Sequence, residues 1–253
     1  MAISIKSARE IELMRESGRI LAKVHDELCK AIVPGISTKE IDIIGDKLIR
    51  NYGCIPNFLH YNGYPASVCV SVNDEVVHGI PDHHRILLEG DIVSLDMGLI
   101  YQGYHSDAAR TYGVGQISKE AQALIDVTKQ SFFEGIKHAK AGSHLYDISN
   151  AIDTYVSAYG YGIVRDLVGH GIGTSLHEDP QIPNFAQKRR GVKLQAGMTL
   201  AIEPMINIGR ADVEWLDDDW TVVTEDGSLS AHYENTVLIT EGEPELLTLY
   251  EER

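Results

Sequence analysis

Cysteine is scarce in this sequence, and so are basic residues and long apolar runs. The three cysteines among 253 residues, Cys29, Cys54 and Cys69, cannot all pair and form no C-x-x-C motif, which argues against a disulfide framework and a thiolate zinc site. No apolar stretch near the start is long enough to cross a bilayer, and charged residues interrupt the first residues before any run of signal-peptide length. We therefore expect a cytoplasmic protein.

The shortage of basic residues gives the chain a strongly acidic balance. It has 22 Lys and Arg against 37 Asp and Glu, for a net charge of −15. This is the wrong sign for neutralising the phosphates of nucleic acid or an anionic membrane surface, so neither is an expected partner. Hydrophobic residues make up 43% of the chain, as in an ordinary globular protein. Most acidic residues are expected to solubilise the surface, while a subset could hold cations.

Helical and strand-like segments alternate along the chain. The spacing of apolar residues predicts amphipathic helices over about 7–30, 37–53, 118–139 and 144–158, and Ser37 with Glu40 predicts a capping box at the start of the second. Between and after the helix pairs come the strand-like stretches S-V-C-V-S-V, D-I-V-S-L-D-M-G, D-A-A-R-T-Y-G-V, M-T-L-A-I-E-P, W-T-V-V-T and E-N-T-V-L-I-T. This order predicts an α+β fold.

The chain also matches itself when it is shifted by 107 residues. The shift places Gly35, Ile41, Asp46, Tyr52 and Gly53 on Gly142, Ile148, Asp153, Tyr159 and Gly160, and it places Gly90 on Gly197 and Asp96 on Glu203. We interpret the match as an internal repeat. It predicts one domain over residues 1–253, built of two pseudo-symmetric halves at about 1–115 and 116–253. The halves would face each other around a curved antiparallel sheet, with the helices outside.

Two aspartates are expected to share one face of a β-hairpin. A two-residue turn at Tyr101-Gln102 would place Asp96 directly opposite Asp107, and a slip of the register by two residues would keep both on the same face. Because like charges across a ladder are destabilising, either one carboxyl is protonated, as in a carboxylate dyad, or cations lie between the two. Hard oxygen ligands together with a histidine favour cations.

Three further segments complete this candidate site. Glu203 in L-A-I-E-P-M and Glu234 in H-Y-E-N-T-V are carboxylates among apolar strand residues, where Asp and Glu are uncommon. In G-H-G-I-G-T-S-L-H-E the glycines let the backbone turn closely around His170, and His177 follows seven residues later. We interpret His170 as a metal ligand and His177 as a substrate contact.

With these residues the chain resembles the type I methionine aminopeptidases of the M24 metallopeptidases, in their minimal bacterial form, over nearly its whole length. The family's ligands, in the order Asp, Asp, His, Glu, Glu, fall on Asp96, Asp107, His170, Glu203 and Glu234, and its accessory histidines fall on His78, in V-V-H-G-I-P, and His177. The resemblance implies the pita-bread fold. It also implies a pocket for a methionine side chain, lined here by Phe58, Tyr61, Tyr64, Cys69, Leu176 and Trp220.

The resemblance further implies a dinuclear mechanism with two divalent ions per chain, Co, Mn, Fe or Zn. One ion would be held by Asp107, His170, Glu203 and Glu234, and the other by Asp96, Asp107 and Glu234, with a water between them as nucleophile. Glu203 would act as proton shuttle, His177 would stabilise the oxyanion, and His78 would bind the scissile amide. Leu167 and Leu176 stand where the family more often has aromatic residues, and Phe58 lies at a variable pocket position, so the resemblance does not define the pocket's shape.

The function expected from the resemblance is removal of the N-terminal methionine from new proteins and peptides, with a preference for small second residues. We expect a monomer, with transient association with ribosomes. A related aminopeptidase that cleaves before proline is one alternative, although such enzymes normally carry an additional N-terminal domain. Another is a non-catalytic binding protein of the same fold, which would be expected to have lost ligands. A metal-free dyad enzyme would remain active in chelator.

Overall fold

The computed structural model describes residues 3–249 and contains the four predicted helices. They are α1 (Ala8–Leu28), α2 (Thr38–Asn51), α3 (Lys119–Ile136) and α4 (Leu145–Ser157). Single turns of 3₁₀ helix occur at Cys29–Ala31 and Tyr61–Gly63. Among the residues described, no helix is both long and apolar enough to cross a membrane.

Capping residues fix where the helices begin. At α2 the backbone N–H of Glu40 donates to Ser37 Oγ at 3.2 Å, and the N–H of Ser37 donates to the Glu40 carboxylate at 2.9 Å. Ser7 and Glu10 form the same reciprocal pair at α1. Each pair satisfies backbone donors that have no partner inside the helix. The predicted capping box of α2 is therefore confirmed, and the boundaries of all four helices agree with the sequence within a few residues.

Fifteen short strands form four antiparallel sheets in the part of the chain that the structure describes. The strands are β1 (Ile55–Pro56), β2 (Val68–Val72), β3 (Glu75–Val77), β4 (Ile92–Tyr101), β5 (Tyr104–Gly113), β6 (Gly162–Ile163), β7 (Gly169–Gly171), β8 (Glu178–Ile182), β9 (Thr199–Ile202), β10 (Met205–Asn207), β11 (Val213–Trp215), β12 (Val222–Thr224), β13 (Ser230–His232), β14 (Asn235–Leu238) and β15 (Glu245–Leu246). The larger sheets have the orders β1-β4-β2, with β5 also on β4, and β15-β14-β9-β7-β8.

The β4–β5 hairpin corrects one prediction. The turn is Gln102-Gly103, with φ of +48° and +85°, and Tyr101 pairs with Tyr104. Positive φ at both central residues suits the right-handed twist of a hairpin, and glycine adopts it at little cost. Asp107 therefore lies opposite Gly98, so the predicted register was wrong by two residues. The shared face is unaffected because side chains alternate with a period of two.

The alternation along β4 and β5 separates the core from the site. Val93, Leu95 and Met97 of β4 and Ala108 of β5 are buried in a hydrophobic cluster with residues of α1 and α2. Asp96 is therefore on the opposite face of the sheet from the helices, as is Asp107. A second cluster packs α3 and α4 on strands of the other large sheet, through residues such as Leu124, Ile148, Leu200 and Val237.

The 107-residue shift also relates details of the backbone. Ser37 forms an isolated bridge with Ile86, and the residues 107 positions later, His144 and Lys193, form another. Left-handed glycines coincide as well: Gly35 (φ +97°) with Gly142 (+92°), Gly53 (+72°) with Gly160 (+75°), and Gly90 (+96°) with Gly197 (+91°). The shift thus matches backbone conformation and chain pairing as well as residue type.

Candidate metal centre and substrate pocket

A single cavity of about 520 Å³ brings together every residue that the sequence selected for the site. The candidate ligands lie beside the accessory histidines and the apolar pocket residues. The sequence-predicted residues lining the cavity are Phe58, Tyr61, Tyr64, Cys69, His78, Asp96, Asp107, Leu167, His170, Leu176, His177, Glu203, Trp220 and Glu234.

The hairpin supplies the two aspartates from adjacent strands. Asp96 lies in β4 and is half-buried, with its Oδ1 atom shielded from solvent, and Asp107 lies in β5 and is buried. Burial raises the pKa of Asp96 to about 7. Burial, and then the nearby Asp96 carboxylate, hold the pKa of Asp107 well above its usual range. Both shifts show that two charged carboxylates are costly here without a compensating positive charge.

The other three candidate ligands come from the second large sheet and its margins. His170 is in the middle of β7, whereas Glu203 directly follows β9 and Glu234 directly precedes β14. The sequence placed these two glutamates within strands; they lie instead at strand ends, and Glu203 is followed by Pro204, which has no N–H to continue a ladder. Burial is the main cause that raises the pKa of each glutamate well above its usual range.

The orientation of His170 leaves one ring nitrogen free for a metal. Its Nδ1 lies 2.8 Å from the carbonyl oxygen of Gly171, which requires an N–H at that position. The unprotonated Nε2 then lies 3.6 Å from Glu203 Oε1 and 4.0 Å from Asp107 Oδ2. Burial, and then the neighbouring His177 ring at 4.2 Å, lower the pKa of His170 to about 3, so the ring is neutral. A neutral imidazole held in this way is the form that binds metals.

The donor set fits divalent cations. One ligand atom each from Asp107, His170 and Glu234 lie within 4.8 Å of one another. Asp96 Oδ1 and Glu234 Oε1 are buried and have no hydrogen-bond partner among residues 3–249. Unpaired buried carboxylate oxygens are expensive unless a cation satisfies them. Four carboxylates with one imidazole are ligands suited to first-row transition metals.

His177 and His78 line the cavity beside the candidate ligands. Tyr61 Oη lies 2.7 Å from His177 Nδ1, and burial lowers the pKa of His177. His78 has a left-handed backbone (φ +59°), and its ring lies edge-on to that of Trp220 at 6.1 Å. Burial, then the nearby His177, lower the pKa of His78 to about 4. Both imidazoles are therefore neutral at pH 7, and each can donate one N–H.

The pocket wall is apolar and aromatic. Phe58, Tyr64, Cys69 and Leu176 belong to one hydrophobic cluster, against which Tyr61 and Trp220 also pack. Tyr64 donates to the carbonyl of Gly79 at 2.8 Å, which orients its ring toward Trp220 at 5.1 Å. Burial raises the pKa of the Cys69 thiol, so the thiol is protonated and contributes as a small apolar group.

Sequence reasoning missed several residues at the site. Asn62, Val77, Val168, Gly169, Glu178, Asp179, Gln181 and Met205 also line the cavity. Most of them are adjacent in sequence to a residue already selected, so proximity along the chain could have found them. His232 was also missed: its Nε2 lies 3.8 Å from Glu203 Oε2. It precedes Glu234 by two residues, and side chains two residues apart along a strand lie on the same face. That spacing was the signal that could have placed His232 near the site.

The fold and the donor set together define a metal-dependent hydrolase, in which two buried and two half-buried carboxylates and an imidazole line a cleft in an α+β fold. The chain belongs to metallopeptidase family M24, whose sequence model matches residues 12–241. It is 53% identical to a methionine aminopeptidase of Clostridium acetobutylicum, over 98% of this chain and 100% of that protein. It is 51% identical to methionine aminopeptidase 1 of Bacillus subtilis, over 97% of this chain and 99% of that protein.

A solved structure gives the same result for the fold. The crystal structure of a methionine aminopeptidase from Thermotoga maritima superimposes with a TM-score of 0.96 at 44% identity, covering 98% of this chain and 100% of that one. The family predicted from the sequence and the α+β pita-bread fold are therefore confirmed.

Proposed function

We propose that this protein removes the N-terminal methionine from peptides and newly made polypeptides by metal-dependent hydrolysis of the first peptide bond. The observation that carries the proposal is the shared cavity, in which the buried ligand cluster adjoins a pocket of aromatic rings and a thiol. The names of the similar proteins support the same substrate. A non-catalytic role is disfavoured because all five candidate ligands are retained.

Two divalent ions, Co, Mn, Fe or Zn, would be held by these side chains. Asp107, His170, Glu203 and Glu234 would bind one ion, and Asp96, Asp107 and Glu234 the other. When bound, such cations polarise a carbonyl and make water nucleophilic at neutral pH. Asp107 and Glu234 would belong to both sets of ligands.

Three residues of the chain would move or donate protons. Glu203 would accept a proton from the attacking water and pass it to the departing amine, a role suited to a carboxylate that lines the cavity. The Tyr61 hydroxyl, 2.7 Å from His177 Nδ1, would donate to that nitrogen, which would put the N–H of His177 on Nε2, where it would stabilise the oxyanion. His78 would donate to the scissile amide.

The aromatic wall would bind the methionine side chain. Phe58, Tyr61, Tyr64, Cys69, Leu176 and Trp220 form a surface on which a flexible thioether can pack, and sulfur makes favourable contacts with aromatic rings. The substrate's free amine would lie at the Asp96 side of the site, which accounts for cleavage at the first bond. Small second residues would be preferred.

We also propose the wider setting of this activity. Residues 1–253 would form one catalytic domain with repeated halves at about 1–115 and 116–253, of which residues 1, 2 and 250–253 lie outside the described part. Three free cysteines are consistent with a reducing cytoplasm. The protein would act as a monomer that meets new chains through transient association with ribosomes.

The decisive experiment measures free methionine released from Met-Ala-Ser. Metal-stripped protein should be inactive and should recover on adding Mn²⁺ or Co²⁺, while Ala-Pro-Ser should remain intact. Cleavage of Ala-Pro-Ser alone would instead assign the protein to the branch that cleaves before proline. No cleavage of either peptide by protein that binds metal would support a binding role and contradict the proposal.

A further inference from the structure

His232 is a buried imidazole that the proposed chemistry leaves unused. It ends β13, its exposed fraction is only 2%, and it does not line the cavity. Neither Nδ1 nor Nε2 has a hydrogen-bond partner among the described residues. Buried polar groups are nearly always paired, because an unpaired group loses its hydrogen bonds to water without replacement. The polar groups next to the ring are therefore the candidates for its partner.

The Glu203 carboxylate lies near the ring. His232 Nε2 lies 3.8 Å from Glu203 Oε2, while the other oxygen, Oε1, lies 3.6 Å from His170 Nε2. Each oxygen of Glu203 thus has a different imidazole beside it. The 3.8 Å separation is about 0.6 Å beyond the longest ordinary N–H···O hydrogen bond, a gap that a small side-chain rotation closes.

The backbone of His232 is held in place by a threonine. Its N–H donates to Thr111 Oγ1 at 2.9 Å, and its carbonyl accepts from the same hydroxyl at 2.9 Å. Met205 pairs with it across β10 and β13. The ring is therefore attached to a rigid part of the sheet, as a residue that fixes another side chain must be.

A local correspondence shows what place His232 occupies. Thr236 Oγ1 accepts from the N–H of Asp107 at 2.9 Å and donates to the Asp107 carbonyl at 2.9 Å. Thr111 makes the same two bonds to His232. A shift of 125 residues takes Asp107 to His232 and Thr111 to Thr236, so the two hydrogen-bonded pairs correspond to each other. His232 therefore occupies, on the β13 side, the position that the candidate ligand Asp107 occupies on the β5 side.

We propose that His232 is a positioning residue that donates its Nε2–H to Glu203 Oε2 and so directs the other carboxylate oxygen toward the metal centre. Hydrogen bonds to metal-binding carboxylates fix their orientation and raise metal affinity. A neutral imidazole performs this task without adding positive charge to a cation site. The inference rests on the proposed function, since it assigns Glu203 to the metal.

The test compares two substitutions in the full-length protein. His232→Leu removes both nitrogens at similar volume, and His232→Gln keeps an N–H donor near the position of Nε2. We expect His232→Leu to weaken Mn²⁺ binding to the stripped protein, measured by calorimetry, by about 10- to 100-fold, and His232→Gln to remain within about threefold of wild type. Equal affinity of His232→Leu and wild type would overturn the inference, as would equal losses in both variants.

A spectroscopic measurement decides the question even if His232→Leu fails to fold. The ¹⁵N chemical shifts of the ring in the wild-type protein report which nitrogen carries the proton. The proposal requires the proton on Nε2; a proton on Nδ1 alone would contradict it, because Nε2 could not then donate. The two proposals also fail separately, since Mn²⁺-loaded wild type that releases no methionine would contradict only the proposed function.

Discussion

Replacing Tyr61 with Phe tests whether the tyrosine hydroxyl acts through His177. The hydroxyl lies 2.7 Å from His177 Nδ1. In the proposed arrangement it donates to that nitrogen and keeps the remaining ring proton on Nε2. Loss of one such hydrogen bond costs about 0.5–1.5 kcal/mol, which lowers kcat/KM about 2- to 13-fold. The phenyl ring of the variant still lines the pocket, so KM for Met-Ala-Ser should change little and the loss should fall on kcat.

A double-mutant cycle separates this effect from a general disturbance of the pocket. His177→Ala should lower kcat by about 10²- to 10³-fold, as expected for loss of an oxyanion donor. Adding Tyr61→Phe to His177→Ala should then reduce the rate by less than about twofold, because the bond to His177 is already absent. Methionine release at saturating Mn²⁺ is the assay. Fully additive losses, or a loss confined to KM, would refute the reasoning.

Three further predictions concern the metal centre and the fold. Asp107→Asn should lower both the number of bound metal ions and turnover, and full activity with two bound ions would remove Asp107 from its shared position. Leu95→Ala, at a fully buried core position, should lower the free energy of unfolding in urea by about 2–5 kcal/mol, whereas Leu88→Ala, at a 63% exposed position, should change it by less than about 0.5 kcal/mol. Gly35→Ala and Gly142→Ala should each lower the free energy of unfolding by about 1–2 kcal/mol, because both residues have φ above +90°. An added Cβ meets no atom within 4 Å at either position, so backbone strain is the only cost. Clearly unequal losses would contradict the equivalence of the two positions.

The helices could be predicted closely from the sequence because their signals are local. Ser37 and Glu40 mark the start of α2 through contacts three residues apart, and an apolar face needs only a count along the chain. The hairpin register was missed by two residues because it depends on which pair of residues can adopt positive φ, and the glycine at position 103 makes Gln102-Gly103 that pair.

The site was predictable in composition more than in detail. Parity alone put Asp96 and Asp107 on one face, but assigning ligand roles to them and to His170, Glu203 and Glu234 depended on the family resemblance. His232 was missed because the period of two that relates it to Glu234 does not by itself distinguish a functional histidine from a structural one. Its significance arises only when β13 is packed against the end of β9, a contact between segments far apart in sequence.

The reciprocal threonine bonds have a consequence for how the protein responds to metal supply. Thr111 hydrogen-bonds β5 to His232, and Thr236 hydrogen-bonds β14 to Asp107. The candidate ligands therefore come from strands that lie side by side only in the folded chain. A cation bound by both sets binds the native state and not the separated segments. Mass action then adds about 2.7 kcal/mol to the free energy of unfolding at a free metal concentration 100 times Kd. Metal limitation in the cell would thus enlarge the unfolded fraction that proteases degrade. It would shorten the lifetime of the protein as well as lower its activity.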